Sequence, residues 1–157
     1  MLPLELKIKS RDIDTLIGAI QSNSINANIE TIKRAYETAN EAHKNQQRLS
    51  GEPFIVHPME VSIILANLKM DETTIIAALL HDTVEDTPVE LIDVEQKFGP
   101  KISKIVDGLT KLDGLYNIES PQAENFKKVL STLVEDVRVV LIKMADRLHN
   151  LRTIDIM

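Results

Sequence analysis

Residues 71–87 read Asp-Glu-Thr-Thr-Ile-Ile-Ala-Ala-Leu-Leu-His-Asp-Thr-Val-Glu-Asp-Thr, and the fold turns on how they are read. The run from Thr74 to Leu80 is apolar and free of Gly and Pro, with Asp71 placed to cap a helix and Thr87-Pro88 placed to end it. That helix is predicted to carry His81-Asp82 at the close of its apolar run. A histidine followed by an aspartate is an awkward choice for a core, and a reasonable one if both side chains grip a divalent cation. Asp82, Glu85 and Asp86 then fall at i, i+3 and i+4 on one helix face. Like charges at that spacing repel by roughly 0.2–0.5 kcal/mol per exposed pair, and by more in a partly buried cleft. A cation reverses that penalty.

Outward from this segment the pattern is helical nearly throughout. Ser10 is placed to cap a helix through Ile20. Asn28 is placed to cap a second, in which Ile29, Ile32, Ala35, Tyr36, Ala39 and Ala42 follow a 3.6-residue period. Gln46 to Pro53 breaks the period with Gly51 and Pro53 and reads as a loop. Pro58 suits the first turn of a helix to about Leu68. Pro88 to Phe98 reads as a helix closed by Gly99, and Pro100 to about Leu112 as the next. Asp113 to Ser120 reads as a flexible connector, Pro121 opens a helix to about Thr132, and a last helix runs from about Val134 past Asn150. No strand or repeat is apparent. The expectation is one compact all-α bundle.

Composition supports this. Aromatics make up 3% with no Trp, so Leu, Ile, Val and Ala must fill the core, which favours helices over a β-sandwich. Met70 and Met144 are expected to fill gaps in it. A length of 157 residues suits a single domain. The net charge of -6 argues against a protein that coats nucleic acid. With no cysteine, disulfides and thiolate metal ligands are excluded, in keeping with a reducing compartment. The longest apolar run is far below the roughly 20 residues that span a bilayer, and the first residues, Met-Leu-Pro-Leu-Glu-Leu-Lys, do not resemble a signal peptide. Leu151 to Met157 is helical in pattern and lacks a terminator, which suggests part of a longer protein.

The chemistry lies in where ligand-type residues fall. His57 precedes Pro58 after Gly51-Glu52-Pro53-Phe54-Ile55-Val56, and Asp146 ends the apolar run Val139 to Ala145. A buried carboxylate there is expensive unless paired or metal-bound. His57, His81, Asp82 and Asp146 form a set of two imidazoles and two carboxylates from three helices, a mixture that suits Mn, Fe or Zn more than Ca or Mg. Taken singly, each residue has an ordinary alternative: a helix-end ion pair for His81-Asp82, a loop position for His57, a partner in Arg147 or Arg152 for Asp146. His43 and His149 show no partner pattern and read as structural.

The order His, His-Asp, distant Asp resembles the HD-domain metal-dependent phosphohydrolases. The chain is similar to one branch, the hydrolase domain of the RelA/SpoT homologues, which break down the alarmones ppGpp and pppGpp of the stringent response. The resemblance rests on Arg48 to Pro58, Ala78 to Thr87, Phe98-Gly99, Val106 to Leu112, Gln122 to Asn125 and Leu141 to Thr153, in order, over most of the chain from Ala35 onward. It implies an HD-type bundle with one Mn²⁺ held by His57, His81, Asp82 and Asp146. Glu85 and Asp86 match the acidic pair that handles the attacking water. Arg48 matches the residue lying against guanine, and Ser50, Asn150 and Thr153 match residues near base and ribose. Leu49 departs from the Lys of many members.

The activity implied is hydrolysis of the 3′-diphosphate of ppGpp or pppGpp to GDP or GTP and pyrophosphate, in the cytoplasm, without nucleic acid or membrane. Family members extend well past the position of Met157, so synthetase and regulatory domains are expected partners in a full-length protein. Two alternatives stand beside this reading. One is an HD phosphohydrolase for another nucleotide; the other is a non-catalytic regulatory module.

Overall fold

The computed structural model describes residues 12–48, 51–116 and 137–153. The expectations on Ser10, Leu49, Ser50, residues 117–120 and the helix opened by Pro121 lie outside the described residues. Those described form helices α1 (Ile13–Ser22), α2 (Ile29–Ala42), α3 (Val56–Asn67), α4 (Glu72–Leu80), α5 (Thr83–Asp86), α6 (Leu91–Phe98), α7 (Pro100–Tyr116) and α8 (Val137–Arg152). Apart from these there is one isolated antiparallel bridge, Gln47 to Pro53, among the described residues.

Helix α4 is the centre. Every residue from Thr74 to Leu80 is buried, because α2, α3, α7 and α8 pack around it. Its start is set by Asp71, whose carboxylate accepts from Thr74 N at 3.0 Å and from the Thr74 hydroxyl at 2.5 Å. Both bonds satisfy groups that a helix N-terminus leaves without partners. Asn28 caps α2 likewise, accepting from Thr31 N at 3.3 Å, and Ile32, Ala35 and Ala39 turn inward as the period requires. No aromatic ring is among the buried hydrophobic residues described; Leu, Ile, Val and Ala fill the core with Met59.

Several boundaries differ from expectation, each for a local reason. Helix α1 starts at Ile13, because Asp12 itself serves as the cap and accepts from Asp14 N at 3.0 Å. The helix from Asp71 does not run on to Thr87. It ends at Leu80, His81-Asp82 form a turn, and α5 is a separate short helix after them. Helix α6 starts at Leu91, three residues after Pro88, where Asp93 caps it by accepting from Glu90 N at 3.0 Å. Gly99, at φ 95°, closes it in a conformation a side chain would strain. Helix α7 continues past Leu112 to Tyr116, so the connector expected from Asp113 begins as helix. Met144 is 63% exposed and is not core filler, whereas Met70 packs against the core.

Helix α8 crosses beside α7 at a close approach. A Cβ on Gly108 would meet Val139 Cγ2 at 3.0 Å, so the missing side chain is what lets the two helices approach here. This contact sets the depth at which α8 lies against α3 and α4.

Candidate metal centre

Three elements deliver the donors. His57 is the second residue of α3, buried because α3 is apolar nearly all round. His81 and Asp82 occupy the turn that ends α4. Asp146 lies on α8, in register with the buried Val139, Ile142 and Ala145. One ligand atom from each of the four residues lies within 4.8 Å of all the others. His57 Nε2 is 2.5 Å from Asp146 Oδ1 and 3.9 Å from Asp82 Oδ2. His81 Nε2 is 3.1 Å from Asp82 Oδ2 and 3.4 Å from Asp146 Oδ1. Ligands held about 2.0–2.2 Å from one ion sit roughly 3–4 Å from each other, so this spacing suits a single cation.

The proton inventory points the same way. His81 Nδ1 donates to the Ala78 carbonyl at 2.5 Å, which leaves Nε2 as the nitrogen turned toward the carboxylates. His57 likewise spends Nδ1 on His149 Nδ1, 2.7 Å away, and turns Nε2 to the same point. Burial disfavours the charged form of His81, yet the negative charge of Asp82 and bonds to Asp146 and Asp82 hold its pKa well above the ordinary range. Burial pushes the Asp82 and Asp146 carboxyls upward, and the imidazoles more than offset it, so both lie below the usual carboxylate range. Two carboxylates with side chains 15% and 8% exposed require compensating positive charge, which the imidazoles and Lys143 supply here and a bound divalent ion would supply in their place. A divalent ion answers that demand, and the donor set fits one.

Lys143, one turn before Asp146, donates to its second oxygen, Oδ2, at 3.0 Å. Oδ1 is thereby the oxygen left facing both imidazoles. The sequence pattern does not single out Lys143, although its i−3 spacing from Asp146 is visible there.

Beside the cluster lies a second group. The loop before α3 folds tightly: Arg48 N donates to Glu52 O at 2.9 Å, and Gly51 N to Arg48 O at 2.8 Å with Gly51 at φ 89°. This turn brings the Arg48 side chain onto α8, where Nη2 donates to Asn150 Oδ1 at 3.0 Å and reaches Thr153 Oγ1 at 3.5 Å. Nη1 is 3.2 Å from His149 Nδ1 and 3.7 Å from Glu52 Oε1. Arg48, Asn150 and Thr153 therefore come together; Ser50 lies outside the described residues. Asp146, His149, Asn150 and Thr153 stand at i, i+3, i+4 and i+7, one stripe of α8. His149, read as structural from sequence, belongs to this stripe and stacks on His57 with centroids 4.9 Å apart.

Glu85 and Asp86 are exposed on α5. Asp86 N donates to Asp82 O at 2.9 Å, so the pair follows the ligand turn by one helical turn. Gln46 ties α5 down: its Nε2 donates to the Asp86 carbonyl at 2.8 Å, while its Oε1 is 2.8 Å from His43 Nδ1. His43 in turn stacks on Phe54 at 4.5 Å. His43 is thus structural as expected, in the service of the segment that bears the acidic pair.

Comparison with known proteins identifies the family. The HD-domain family model matches residues 35–156. The chain is 46% identical over 143 residues to the bifunctional (p)ppGpp synthase/hydrolase SpoT of Escherichia coli K12, covering 90% of this chain and 20% of that protein. It is 46% identical over 144 residues to a Brucella melitensis protein named GTP pyrophosphokinase rsh, covering 90% and 19% respectively. The chain therefore spans about a fifth of the length of these curated relatives. A solved structure of a metazoan ortholog of SpoT, described as hydrolysing ppGpp, aligns with TM-score 0.62 at 30% identity, over 80% of this chain and 71% of that one. With the fold, the His/Asp cluster and the relatives in agreement, the chain belongs to the HD-domain family, among its RelA/SpoT members.

Proposed function

We propose that the chain is an HD-type phosphohydrolase domain that removes pyrophosphate from the 3′ position of ppGpp or pppGpp, leaving GDP or GTP. The observation that carries this reading is the adjacency of a His57/His81/Asp82/Asp146 cluster to an Arg48/Asn150/Thr153 group on the same stripe of α8. The first suits a hard or borderline cation, the second a polar heterocycle and ribose. SpoT relatives named for this reaction support the substrate, and the metazoan ortholog described as a ppGpp hydrolase supports it further.

In this reading His57, His81, Asp82 and Asp146 hold the ion; two imidazoles and two carboxylates suit Mn, Fe or Zn, and the resemblance to the RelA/SpoT hydrolases favours Mn²⁺. When bound, such an ion acidifies a water molecule and offsets charge on the diphosphate. The remaining steps belong to the chain. Glu85 or Asp86 takes the proton from the attacking water, and the other carboxyl assists departure of the ribose 3′ oxygen. Arg48 packs its planar guanidinium against guanine, and Asn150 and Thr153 bond to base and ribose, as does Ser50. Because Arg48 is already held by Asn150 and Glu52, little ordering is required when the nucleotide arrives. Residues 1–157 make up one domain, joined in a full-length protein to synthetase and regulatory domains. The resemblance to the RelA/SpoT hydrolases supports work in the cytoplasm. No helix among the described residues is long and apolar enough to cross a membrane.

The test is incubation of the chain with ppGpp and Mn²⁺, with a nucleoside monophosphate as control. Pyrophosphate released only from ppGpp is the expected result. Phosphate released from the monophosphate would replace this reading with a phosphohydrolase for other nucleotides. No turnover, with Asp82→Ala behaving identically, would leave a regulatory module. Glu85→Gln is expected to abolish turnover while Mn²⁺ still binds, read by calorimetric titration.

A further inference from the structure

A guanidinium carries only N–H donors. Arg48 Nη1 sits 3.2 Å from His149 Nδ1, so that nitrogen presents a lone pair and His149 keeps its own proton on Nε2. His57 Nδ1 lies 2.7 Å from the same atom. His57 Nε2 faces Asp146 Oδ1 and Asp82 Oδ2, the other donors of the set. A cation at the cluster would take the lone pair of His57 Nε2, which puts the His57 proton on Nδ1, and His149 Nδ1 is the acceptor within reach, its one lone pair shared with Arg48. Arg48, by donating to His149 Nδ1, favours the His149 tautomer that can accept that proton.

We propose that His149 is a positioning residue that couples the Arg48 loop to the metal centre, so that the state of Arg48 sets the cation affinity of His57. The arrangement is built for this. His149 is 6% exposed and stacked on His57 at 29° between ring planes, so it has little room to turn away. Asn150 Oδ1 at 3.0 Å and Glu52 Oε1 at 3.7 Å hold the guanidinium against it. Partners that fix the outer nitrogen of a metal-ligating histidine are worth roughly 10–100-fold in metal affinity. Because coupling between two binding sites is reciprocal, a bound cation favours Arg48 in place, and a nucleotide that leaves Arg48 on His149 keeps the cation tight. The proposal rests on the cluster being a cation site, as in the function proposed above, and is independent of which nucleotide is hydrolysed.

The experiment is calorimetric titration of Mn²⁺ into the 157-residue chain without nucleotide, with far-UV circular dichroism confirming that each variant is helical. His149→Phe keeps the stacked ring and removes the acceptor; it is expected to weaken Mn²⁺ binding by about 10-fold or more. His149→Asn restores an acceptor oxygen and should recover most of that loss. Arg48→Met touches no cluster atom and leaves the helices intact. It should weaken Mn²⁺ binding several-fold when His149 is present and have no further effect in the His149→Phe background. An Arg48→Met effect that is absent, or equal in both backgrounds, overturns the coupling, as does equal binding by His149→Phe and His149→Asn. Coupled Mn²⁺ binding with no pyrophosphate release from ppGpp would sink the proposed substrate and leave this inference standing. Absence of Mn²⁺ binding by the unaltered chain would sink both.

Discussion

The two faces of α8 are opposites of what a helix in a small bundle usually shows. Toward the interior it carries Asp146 and His149, both buried, with Lys143 and Asn150 half-buried beside them. Toward solvent it carries Met144 at 63%, Leu148 at 40% and Leu151 at 65% exposure, beside Leu68, the residue just after α3, at 62%. Over its second half, the rule that apolar residues face the core would turn the wrong side of this helix inward. Burial of Asp146 and His149 is therefore not driven by transfer from water, which opposes it. Val139, Ile142 and Ala145 supply the apolar anchor, and the polar residues are carried inward with them.

The largest expected effect comes from removing a donor on the inner face. Asp146→Ala takes one carboxylate from the cluster and leaves Lys143 facing two imidazoles. Mn²⁺ affinity should fall by more than the roughly 10–100-fold typical of losing an outer partner, with turnover abolished, as measured by titration and pyrophosphate release. Near-native metal binding in this variant would remove the cluster from consideration. Next is the anchor itself. Ile142 is 0% exposed, and Ile142→Ala should cost roughly 2–5 kcal/mol by the transfer and cavity terms together, seen in urea denaturation at unchanged slope.

A third effect tests how the start of α8 is tied to α4. Arg138 Nη2 lies 3.4 Å from Asp71 Oδ2. Burial raises the Asp71 carboxyl, but the Thr74 bonds and the positive charge of Arg138 outweigh it and leave its pKa lowered. A depressed carboxylate stabilises the fold above its ordinary range near 3.8, and that stability is lost as pH falls through the folded value. Asp71→Asn retains the cap and removes the charge. It should cost about 0.3–1 kcal/mol near neutral pH, and the gap should close in acid; a gap constant with pH would assign the loss to packing. The smallest effect belongs to the outer face. Leu148→Gln should change stability by no more than about 0.5 kcal/mol, in thermal melts of the isolated chain.

Legibility in the sequence follows the range of the cause. Asp71, Asn28 and Gly99 are readable because a cap acts within one turn of itself, and α2, α3, α4 and α6 follow from such signals plus period. His81-Asp82 stands out because the pair contradicts the apolar run before it. The break after Leu80 is not readable, since no Gly or Pro marks it; it emerges only once Asp82 and His81 are turned to meet His57 and Asp146. Sequence reasoning passes over His149, although its i+3 place between Asp146 and Asn150 is a usable sign. Its importance depends on Arg48, 101 residues away in the chain, and on which ring nitrogen meets which donor. Gln46 escapes notice for the same reason, its partner being the carbonyl of Asp86.

The order of residues alone determined an all-helical chain with two imidazoles and two aspartates able to bind one ion, because helix period, caps and ligand chemistry are local properties. Only the packed structure decided that Lys143 takes one oxygen of Asp146, that Arg48 and His57 share His149, and that Met144 faces water. Those outcomes are set by the depth and rotation of α8 against α3, α4 and α7. Rotation of one helix on another comes from side-chain fit over the whole contact, and no single stretch of sequence contains it.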